Sequence, residues 1–225
     1  MRQKIITCMK HHPKGIACLL RIYNATLGGT RIRIPAKNRM RTGAVLMKKT
    51  KITVNGIHNT IIMKDFTSLD HCRIDIKGNN NHVIIRERVS LNQAELHIED
   101  DNNEIIIGEH TSIHGATQLA AIEGTTIKIG RDCMLANDIQ FRTGDSHSII
   151  DLSGKRLNTS ESISIGNHVW IGTKVICLKG VHIANNCIVG AGSLLTKRFD
   201  EDNAIIAGNP ARIVKSEIDW LRERI

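Results

Sequence analysis

Apolar positions in the C-terminal third of the chain recur every six residues. The residue after each of them is small in most units, and the residue four positions on is small or branched. A period of six fits neither an α-helix nor a simple alternating strand. It predicts a chain that turns a corner every six residues, so that three units complete one coil of a triangular solenoid with the apolar starts inside. These starts are Ile165, Ile171, Cys177, Ile183, Val189 and Leu195.

A second period, of 22 residues, runs through the preceding part of the chain. Met63, Ile85, Ile107 and Ile129 are each 22 residues apart and lie in similar phrases. Twenty-two is three six-residue sides plus four residues, and the excess falls where Gly, Asn and Asp are concentrated, as in turns. These segments are therefore predicted to be the same coils with one widened corner.

The 22-residue spacing is interrupted once, between Ile129 and Ile165, which are 36 residues apart. Units starting at Ile129, Leu135 and Phe141 complete one coil, and the chain then leaves through the polar segment GDSHSIIDLSGKRLNTSES. Polar loops on rigid scaffolds commonly carry function. We therefore predict a solenoid over residues 51–204 with an active-site loop at about 144–162.

The two ends of the chain predict smaller elements. Residues 1–50 form a basic arm, in which short helical pieces broken near Pro13 cap the open end of the solenoid or lie on a membrane surface. Residues 205–225 form a C-terminal segment, with a helix expected at 216–225.

Charge is distributed unevenly between these parts. The net charge is +9, yet the first 64 residues hold 14 of the 31 Lys and Arg and none of the 22 acidic residues. Such a tail is either a solvated basic arm or one attracted to a polyanionic substrate or an anionic membrane face. With one tyrosine and no Lys-Gly-Phe pattern in the arm, no nucleic-acid partner is expected.

Composition suits a narrow core and a reducing compartment. Only 3% of the residues are aromatic, while 41% are apolar. The six cysteines include no CxxC pair, and Cys177 and Cys187 fall at buried positions of the repeat, so reduced core thiols are expected. The absence of a signal peptide or a long apolar run adds to the prediction of a cytoplasmic protein, peripheral to the inner membrane if the arm binds lipid.

The residues IGNHVWIGTKVICLKGVHIANNCIVGAGSLLTK (165–197) and AGNPAR (207–212) resemble the hexapeptide-repeat acyltransferases. The stretch RTGDSHSIIDLSGKRLN (142–158) is similar to the capsular and polysialic acid O-acetyltransferases within that family. The resemblance implies an all-β, left-handed parallel β-helix. The handedness comes from the family alone, since general rules favour right-handed crossovers.

Acetyl transfer to a hydroxyl needs a base that works near neutral pH, which suits histidine. Of the 11 histidines, His147 stands where the chain leaves the coil, and the resemblance implies that it is the general base. Asp145 is a candidate to orient its imidazole. Arg142 and Ser146 are candidates for binding the acceptor.

The resemblance also implies acetyl-CoA as the acetyl donor, with no metal. Trp170, at an outward position, would line the donor and acceptor site, and a backbone N–H near Gly172 would stabilise the oxyanion. Small residues would border the pantetheine, namely Gly172, Thr173, Gly190 and Ala191. Residues at the nucleotide end would be Thr196, Lys197, Arg212 and Lys215.

The family packs three prisms side by side, so a homotrimer is implied, with each site between neighbouring subunits. The predicted function is acetyl-CoA-dependent O-acetylation of a sugar hydroxyl in a surface polysaccharide or its precursor. N-acetylation of an amino sugar on a nucleotide or lipid carrier is the alternative enzyme activity. A zinc-dependent carbonic anhydrase lacks a suitably spaced third histidine, and a non-enzymatic solenoid would not bind coenzyme A.

Overall fold

The computed structural model describes residues 13–225 and shows three parallel sheets wound around one core. The chain passes from sheet A to sheet B to sheet C and back, so each coil contributes one strand to each sheet. We name the turns between them the A–B, B–C and C–A corners. A helix, α1 (Pro13–Thr26), precedes the first strand.

The strands of each sheet are numbered in chain order. Sheet A contains β1 (Arg31–Arg33), β4 (Lys51–Asn55), β7 (Arg73–Lys77), β10 (Ala94–Ile98), β13 (Thr117–Ala121), β16 (Gln140–Arg142), β19 (Ile176–Cys177) and β22 (Leu194–Leu195). Sheet B contains β2 (Arg39–Thr42), β5 (Thr60–Met63), β8 (His82–Ile85), β11 (Glu104–Ile107), β14 (Thr126–Ile129), β17 (Ile163–Ile165) and β20 (His182–Ile183).

Sheet C completes the triangle and carries the last strand of the chain. It contains β3 (Val45–Lys48), β6 (Thr67–Asp70), β9 (Ser90–Asn92), β12 (Ser112–Ile113), β15 (Met134–Leu135), β18 (Trp170–Ile171), β21 (Ile188–Val189), β23 (Ile205–Gly208) and β24 (Ala211–Lys215). β24 folds back antiparallel on β23 at the end of the column.

Both predicted periods correspond to vertical stacking. Ile107 is paired with Ile85 and with Ile129, and Ile129 with Ile165 across the 36-residue step. These side chains are almost fully buried. Parallel pairing in register places equivalent apolar residues on top of one another, so the core is a set of ladders rather than a layered sandwich.

Corners are turned by residues in the left-handed region of backbone space. At the B–C corner, Arg88, His110 and Asp132 have φ values of 57°, 59° and 53° at equivalent positions. Non-glycine residues adopt this conformation at a cost of about 1–2 kcal/mol. Here the N–H of Asp132 donates to the carbonyl of Glu109 in the preceding coil at 2.8 Å, so hydrogen bonding between coils offsets the strain.

The wide A–B corner of the early coils is filled by a ladder of asparagines. The N–H of Asn81 donates to Oδ1 of Asn59 at 2.9 Å, and the N–H of Asn103 donates to Oδ1 of Asn81 at 2.8 Å. Gly56, at the same corner, has φ of 123°, and a Cβ there would lie 2.0 Å from the carbonyl oxygen of Gly78. The four-residue excess is thus an internal hydrogen-bonded turn.

Two expectations about the ends differ from the structure. Regular strands begin at Arg31, so residues 31–50, assigned to the arm, already form the first coil. Residues 216–225 are irregular, and the predicted C-terminal helix was wrong. Trp220 explains this, because its buried ring is stacked on His168. Its indole N–H donates to the main-chain carbonyl of His168, and its own carbonyl faces Nε2 of that ring, which holds the segment against the column.

At the N-terminus, α1 confirms a helical piece beginning at Pro13, and the piece predicted before it lies outside the described residues. Within residues 13–225 there is no helix with both the length and the apolar character needed to cross a bilayer.

Candidate active site

The predicted loop leaves the column at the A–B corner, between β16 and β17. Its two ends meet, because the N–H of Glu161 donates to the carbonyl of Thr143 at 2.8 Å. The buried hydroxyl of Thr143 also accepts the hydroxyl hydrogen of Thr125 at 2.7 Å, in the coil below. The asparagine ladder therefore ends at Thr125, and the loop starts directly above it.

A bidentate ion pair anchors the loop to the coil below. Arg156 places Nη1 2.8 Å from Oε1 of Glu123 and Nη2 3.0 Å from Oε2. Ser160 donates its hydroxyl to Oε2 of Glu123 at 2.7 Å. The bond from Arg156, followed by that from Ser160, lowers the pKa of Glu123. The carboxylate therefore remains ionised and holds the returning limb of the loop.

A second ion pair anchors the loop to the coil above. Nζ of Lys179 lies 2.5 Å from Oδ2 of Asp145. This contact, followed by the bond from Asn158, lowers the pKa of Asp145. Lys179 is reached two residues after Cys177, at the same A–B corner one coil further on. The loop is therefore held from both sides along the column.

Asn158 connects the two limbs of the loop. Its Nδ2 donates to Oδ2 of Asp145 at 2.9 Å and to the main-chain carbonyl of His147 at 2.7 Å. Its Oδ1 accepts the N–H of Ile149 at 2.7 Å. Asn158 is buried whereas His147 is exposed. The backbone at His147 is thus fixed from inside the loop while its imidazole faces outwards.

These contacts correct the role expected of Asp145. Among the described residues its carboxylate bonds to Lys179 and Asn158, and no bond to the His147 ring is found. A lysine ammonium at 2.5 Å makes a charge-assisted hydrogen bond with this carboxylate. Asp145 therefore fixes the loop rather than orienting the imidazole.

The two candidates for acceptor binding lie at the base of the loop. Arg142 is exposed on the outer face of β16 and donates from Nη2 to Oε1 of Gln118 at 2.8 Å. Ser146 is exposed, with φ of 61°. Gln118 and Gln140 also line a polar cleft of about 340 Å³ on sheet A, bordered by Glu95.

The small residues predicted for the pantetheine stack at the C–A corner. Gly172 follows β18, and Gly190 and Ala191 follow β21. A Cβ on Gly172 would lie 2.8 Å from the nitrogen of Ala191, so close stacking of coils already requires glycine there. Thr173 donates its hydroxyl to the carbonyl of Asn137 at 3.0 Å.

The N–H of Gly172 does not serve as an oxyanion donor. It is donated to the carbonyl of Val189 at 2.8 Å, as part of the stacking between coils. The N–H of Gly190 is likewise donated to Ile206 at 2.8 Å. The prediction of an oxyanion donor is therefore wrong for the N–H of Gly172 itself and stays a prediction for the other N–H groups of that corner.

The residues predicted for the nucleotide end are divided between two places. Thr196 and Lys197 are exposed at the A–B corner after β22. Arg212 and Lys215 are exposed on β24, at the end of sheet C. Trp170 lies on the outer face of sheet C, 39% exposed, with its ring 6.1 Å from that of Trp220. Trp170 is therefore bordered by the C-terminal segment on the side where Trp220 lies.

A single chain thus does not bring all predicted site residues together. His147 lies at the A–B corner and Gly172 at the C–A corner, on opposite edges of sheet A. One side of the triangle separates them, roughly 15–20 Å at 3.3 Å per residue. Across residues 13–225, no group of three or more His, Cys, Asp or Glu side chains is placed to hold a metal ion.

Sequence reasoning missed the residues that fix the loop. Lys179 could have been found by counting six-residue sides, because it occupies the corner directly above the loop. Asn158 and Glu123 carry no such signal, since their partners depend on how the excursion folds back. Also missed was the group around His168, whose Nδ1 lies 2.7 Å from Asp132 and whose ring stacks on Trp220 at 4.1 Å.

Two solved structures are similar to nearly the whole chain. The polySia specific acetyltransferase NeuO is 31% identical with a TM-score of 0.78, covering 83% of this chain and 86% of its own. The polysialic acid O-acetyltransferase OatWY is 33% identical with a TM-score of 0.77, covering 88% of this chain and 90% of its own. The predicted left-handed parallel β-helix is therefore confirmed.

Two curated proteins are similar to part of the sequence. A polysialic acid O-acetyltransferase of Escherichia coli O1:K1 / APEC is 38% identical over 97 residues, which are 43% of this chain and 31% of that protein. One from Neisseria meningitidis is 38% identical over 110 residues, or 48% of this chain and 51% of that protein. The matches thus span about a third and a half of these relatives. No protein-family profile matches the chain.

Proposed function

The chain belongs to the hexapeptide-repeat acyltransferases, and on that premise we propose that it moves an acetyl group from acetyl-CoA to a sugar hydroxyl. The acceptor is a capsular or other surface polysaccharide, or its precursor. The observation that carries this proposal is an exposed histidine, His147, on a loop whose base is fixed to the coils below and above it. The similar proteins named as polysialic acid O-acetyltransferases support the reaction class.

In the proposed reaction, His147 removes the proton of the acceptor hydroxyl. The oxygen attacks the carbonyl carbon of the thioester, and the tetrahedral intermediate expels the thiolate of coenzyme A. The thiolate takes up the proton from His147, leaving an O-acetyl ester and free coenzyme A. General base catalysis of this kind contributes roughly a hundred- to ten-thousand-fold, and holding both substrates in one cleft supplies much of the remainder.

Acetyl-CoA would run along the C–A corner. Gly172, Thr173, Gly190 and Ala191 leave that corner without bulky side chains, and Ala191 is exposed. Trp170 would border the acetyl group on the adjacent face. Cationic groups for the phosphates would come from Arg212 and Lys215 on β24 and, from the A–B corner of a neighbouring subunit, from Lys197, with Thr196 as a polar contact.

A second copy of the chain would bring these parts together in a homotrimer. The loop of one subunit would face the C–A corner of its neighbour, which removes the separation across sheet A. Apolar side chains on the loop support this arrangement, because Leu152 is fully exposed and Ile149 and Ile150 are each 59% exposed in one chain. Closed threefold packing gives three equivalent sites.

Polar groups near the loop favour a carbohydrate acceptor. The cleft of about 340 Å³ on sheet A is lined by Gln118, Gln140 and Glu95, whose side chains can bond to sugar hydroxyls. Arg142, hydrogen bonded to Gln118, adds a cation that suits an acidic sugar. Because buried thiols such as Cys133 and Cys177 are unpaired, we assign the reaction to the reducing cytoplasm.

The test is incubation with labelled acetyl-CoA and a panel of capsular oligosaccharides. Label should enter an acidic oligosaccharide and be released by mild alkali, as an ester is. Alkali-resistant label would indicate an amide and favour N-acetylation of an amino sugar. Failure of coenzyme A to raise the melting temperature would contradict the proposal, since a ligand that binds the native state must stabilise it.

A further inference from the structure

The cap helix α1 presents two different faces. On its inner face Ile16 and Asn24 are buried. Asn24 donates from Nδ2 to the carbonyl of Val45 and accepts the N–H of Met47, each at 2.8 Å, so its amide replaces a missing neighbour strand on sheet C. On the outer face, Leu19 and Ile22 are 69% and 58% exposed. Residues three apart are neighbours on a helix, so they form an apolar stripe that no described residue covers.

Two further exposed apolar residues follow the helix along the chain. Leu27, just after α1, is 81% exposed, and Ile32 on β1 is exposed as well. A cleft of about 680 Å³ opens between α1 and the first strands, and Ile32, Arg21 and Arg41 lie along it. We call this region, made of Leu19, Ile22, Leu27, Ile32, Arg21 and Arg41, the end surface.

The end surface is cationic, and neither Arg21 nor Arg41 forms an ion pair among the described residues. Residues 13–64 contain no Asp or Glu. Of the Lys and Arg side chains that the structure describes in residues 15–64, Lys48 alone takes part in an ion pair, with Asp70. Arg21 donates one bond to the carbonyl of Thr42 at 3.0 Å, which leaves most of its donors available. In the same cleft, the shielded hydroxyl of Thr30 has no hydrogen-bond partner among the described residues.

We infer that the end surface docks on an anionic lipid bilayer. Leu19, Ile22 and Leu27 enter the interfacial region, and Arg21 and Arg41 lie against lipid phosphates. Exposed apolar side chains beside cations are the features that bind a helix to such a surface. An anionic polysaccharide would use the cations and leave the leucines in water. Two copies meeting through this surface would bring like charges together.

The docking would place the proposed active site at a defined height. Five strand spacings separate β1 from β16 along sheet A. At about 4.8 Å each, the loop carrying His147 would stand roughly 24 Å along the column from β1. The acceptor would therefore be modified above the membrane surface rather than in it.

The experiment is flotation of the full chain with vesicles, at about 0.1 M salt where the Debye length is about 10 Å. The protein should float with vesicles containing phosphatidylglycerol and stay behind with pure phosphatidylcholine. The variant Leu19→Ser/Ile22→Ser should lose most binding, and Arg21→Gln/Arg41→Gln should weaken it at least about tenfold. Matched controls are Leu221→Ser, which removes an exposed leucine elsewhere, and Lys128→Gln, which removes an exposed cation of sheet B.

Other results would overturn the inference. Equal flotation of both end-surface variants and the controls would exclude this surface, as would no flotation with anionic vesicles. A wild-type particle that becomes smaller in Leu19→Ser/Ile22→Ser, measured by light scattering, would mean that a second copy covers the stripe. Acetyl transfer to a soluble oligosaccharide should be the same in all variants. Its absence from wild type and variants alike would count against the proposed function instead.

Discussion

The A–B corner takes two forms along the column. In the early coils it is a four-residue widening, closed by Asn59, Asn81 and Asn103 bonding straight along the axis. Two coils after Asn103 the same corner opens into 143–162, held by Arg156 to the coil below and by Lys179 to the coil above. The first form buries its amides, whereas the second buries Thr143 and Asn158 and exposes His147.

The two forms differ in which hydrogen-bonding groups the residues of the corner pair with. A ladder asparagine bonds a main-chain N–H of the next coil, so it stabilises the stacking of coils. Asn158 bonds groups within the loop, so it stabilises the position of one segment. We therefore expect changes at the loop to alter activity and changes at the ladder to alter stability.

The variant His147→Ala should have the largest effect and should separate activity from stability most clearly. The exposed ring makes no contact needed for folding, so the melting temperature should stay close to that of the wild type. Loss of the base should lower kcat about a hundred- to ten-thousand-fold. Labelled acetyl transfer measures this, with His114→Ala as a control on another part of the column. Turnover at the wild-type rate would remove His147 from the mechanism.

Asn158→Ala tests whether the loop must be held in place. Without the bonds to His147 and Ile149 the loop should sample other positions, and misplacement of about 1 Å can lower the rate up to about a hundred-fold. We expect kcat to fall, KM for acetyl-CoA to stay nearly constant and the melting temperature to change little. A rise in that KM with normal kcat would assign Asn158 to cofactor binding instead.

Asn81→Ala should give the opposite result. It leaves the buried N–H of Asn103 without a partner, which should lower the free energy of unfolding by about 1–3 kcal/mol. Activity below the melting transition should be unchanged. The matched control is Asn79→Ala, whose bond to the N–H of Ile57 is exposed and can be replaced by water. Equal destabilisation in both denaturant titrations would contradict the role of burial.

The smallest expected effect is on the pH dependence of stability. It arises where His168 contacts the C-terminal segment at the B–C corner. Burial disfavours a charged His168, but bonds to the Trp220 carbonyl and to Asp132, with nearby carboxylates, outweigh it and raise the pKa of His168. Both ring nitrogens face acceptors, so the bound form is the imidazolium.

Because this pKa is higher in the folded state, the stabilisation is complete below the ordinary value of about 6.5 and is lost as pH rises through the raised pKa. The difference in melting temperature between wild type and His168→Gln should therefore shrink from pH 6 towards pH 8, by a small amount. A difference that grows with pH would contradict the charged ring.

Much of this arrangement could be predicted from the sequence. The parts that could not be predicted failed for different reasons. The repeat indicated stacked coils because each coil uses the same residue types at the same positions, and the 36-residue step located the loop. Asp145 was assigned to the wrong partner because His147 is only two residues away along the chain, while Lys179 is 34 residues away in sequence. The C-terminal helix was wrong because tertiary contacts of Trp220 override a weak local preference.

The sequence by itself determined the solenoid, the interruption of its rhythm and the histidine exposed there. These follow from periodicity, since in-register stacking requires apolar residues at fixed intervals. Only the tertiary structure decided which side chains hold the loop. It also decided that His147 and the small residues around Gly172 lie on opposite edges of sheet A. Those relations join residues far apart in the chain, and no repeating pattern specifies them.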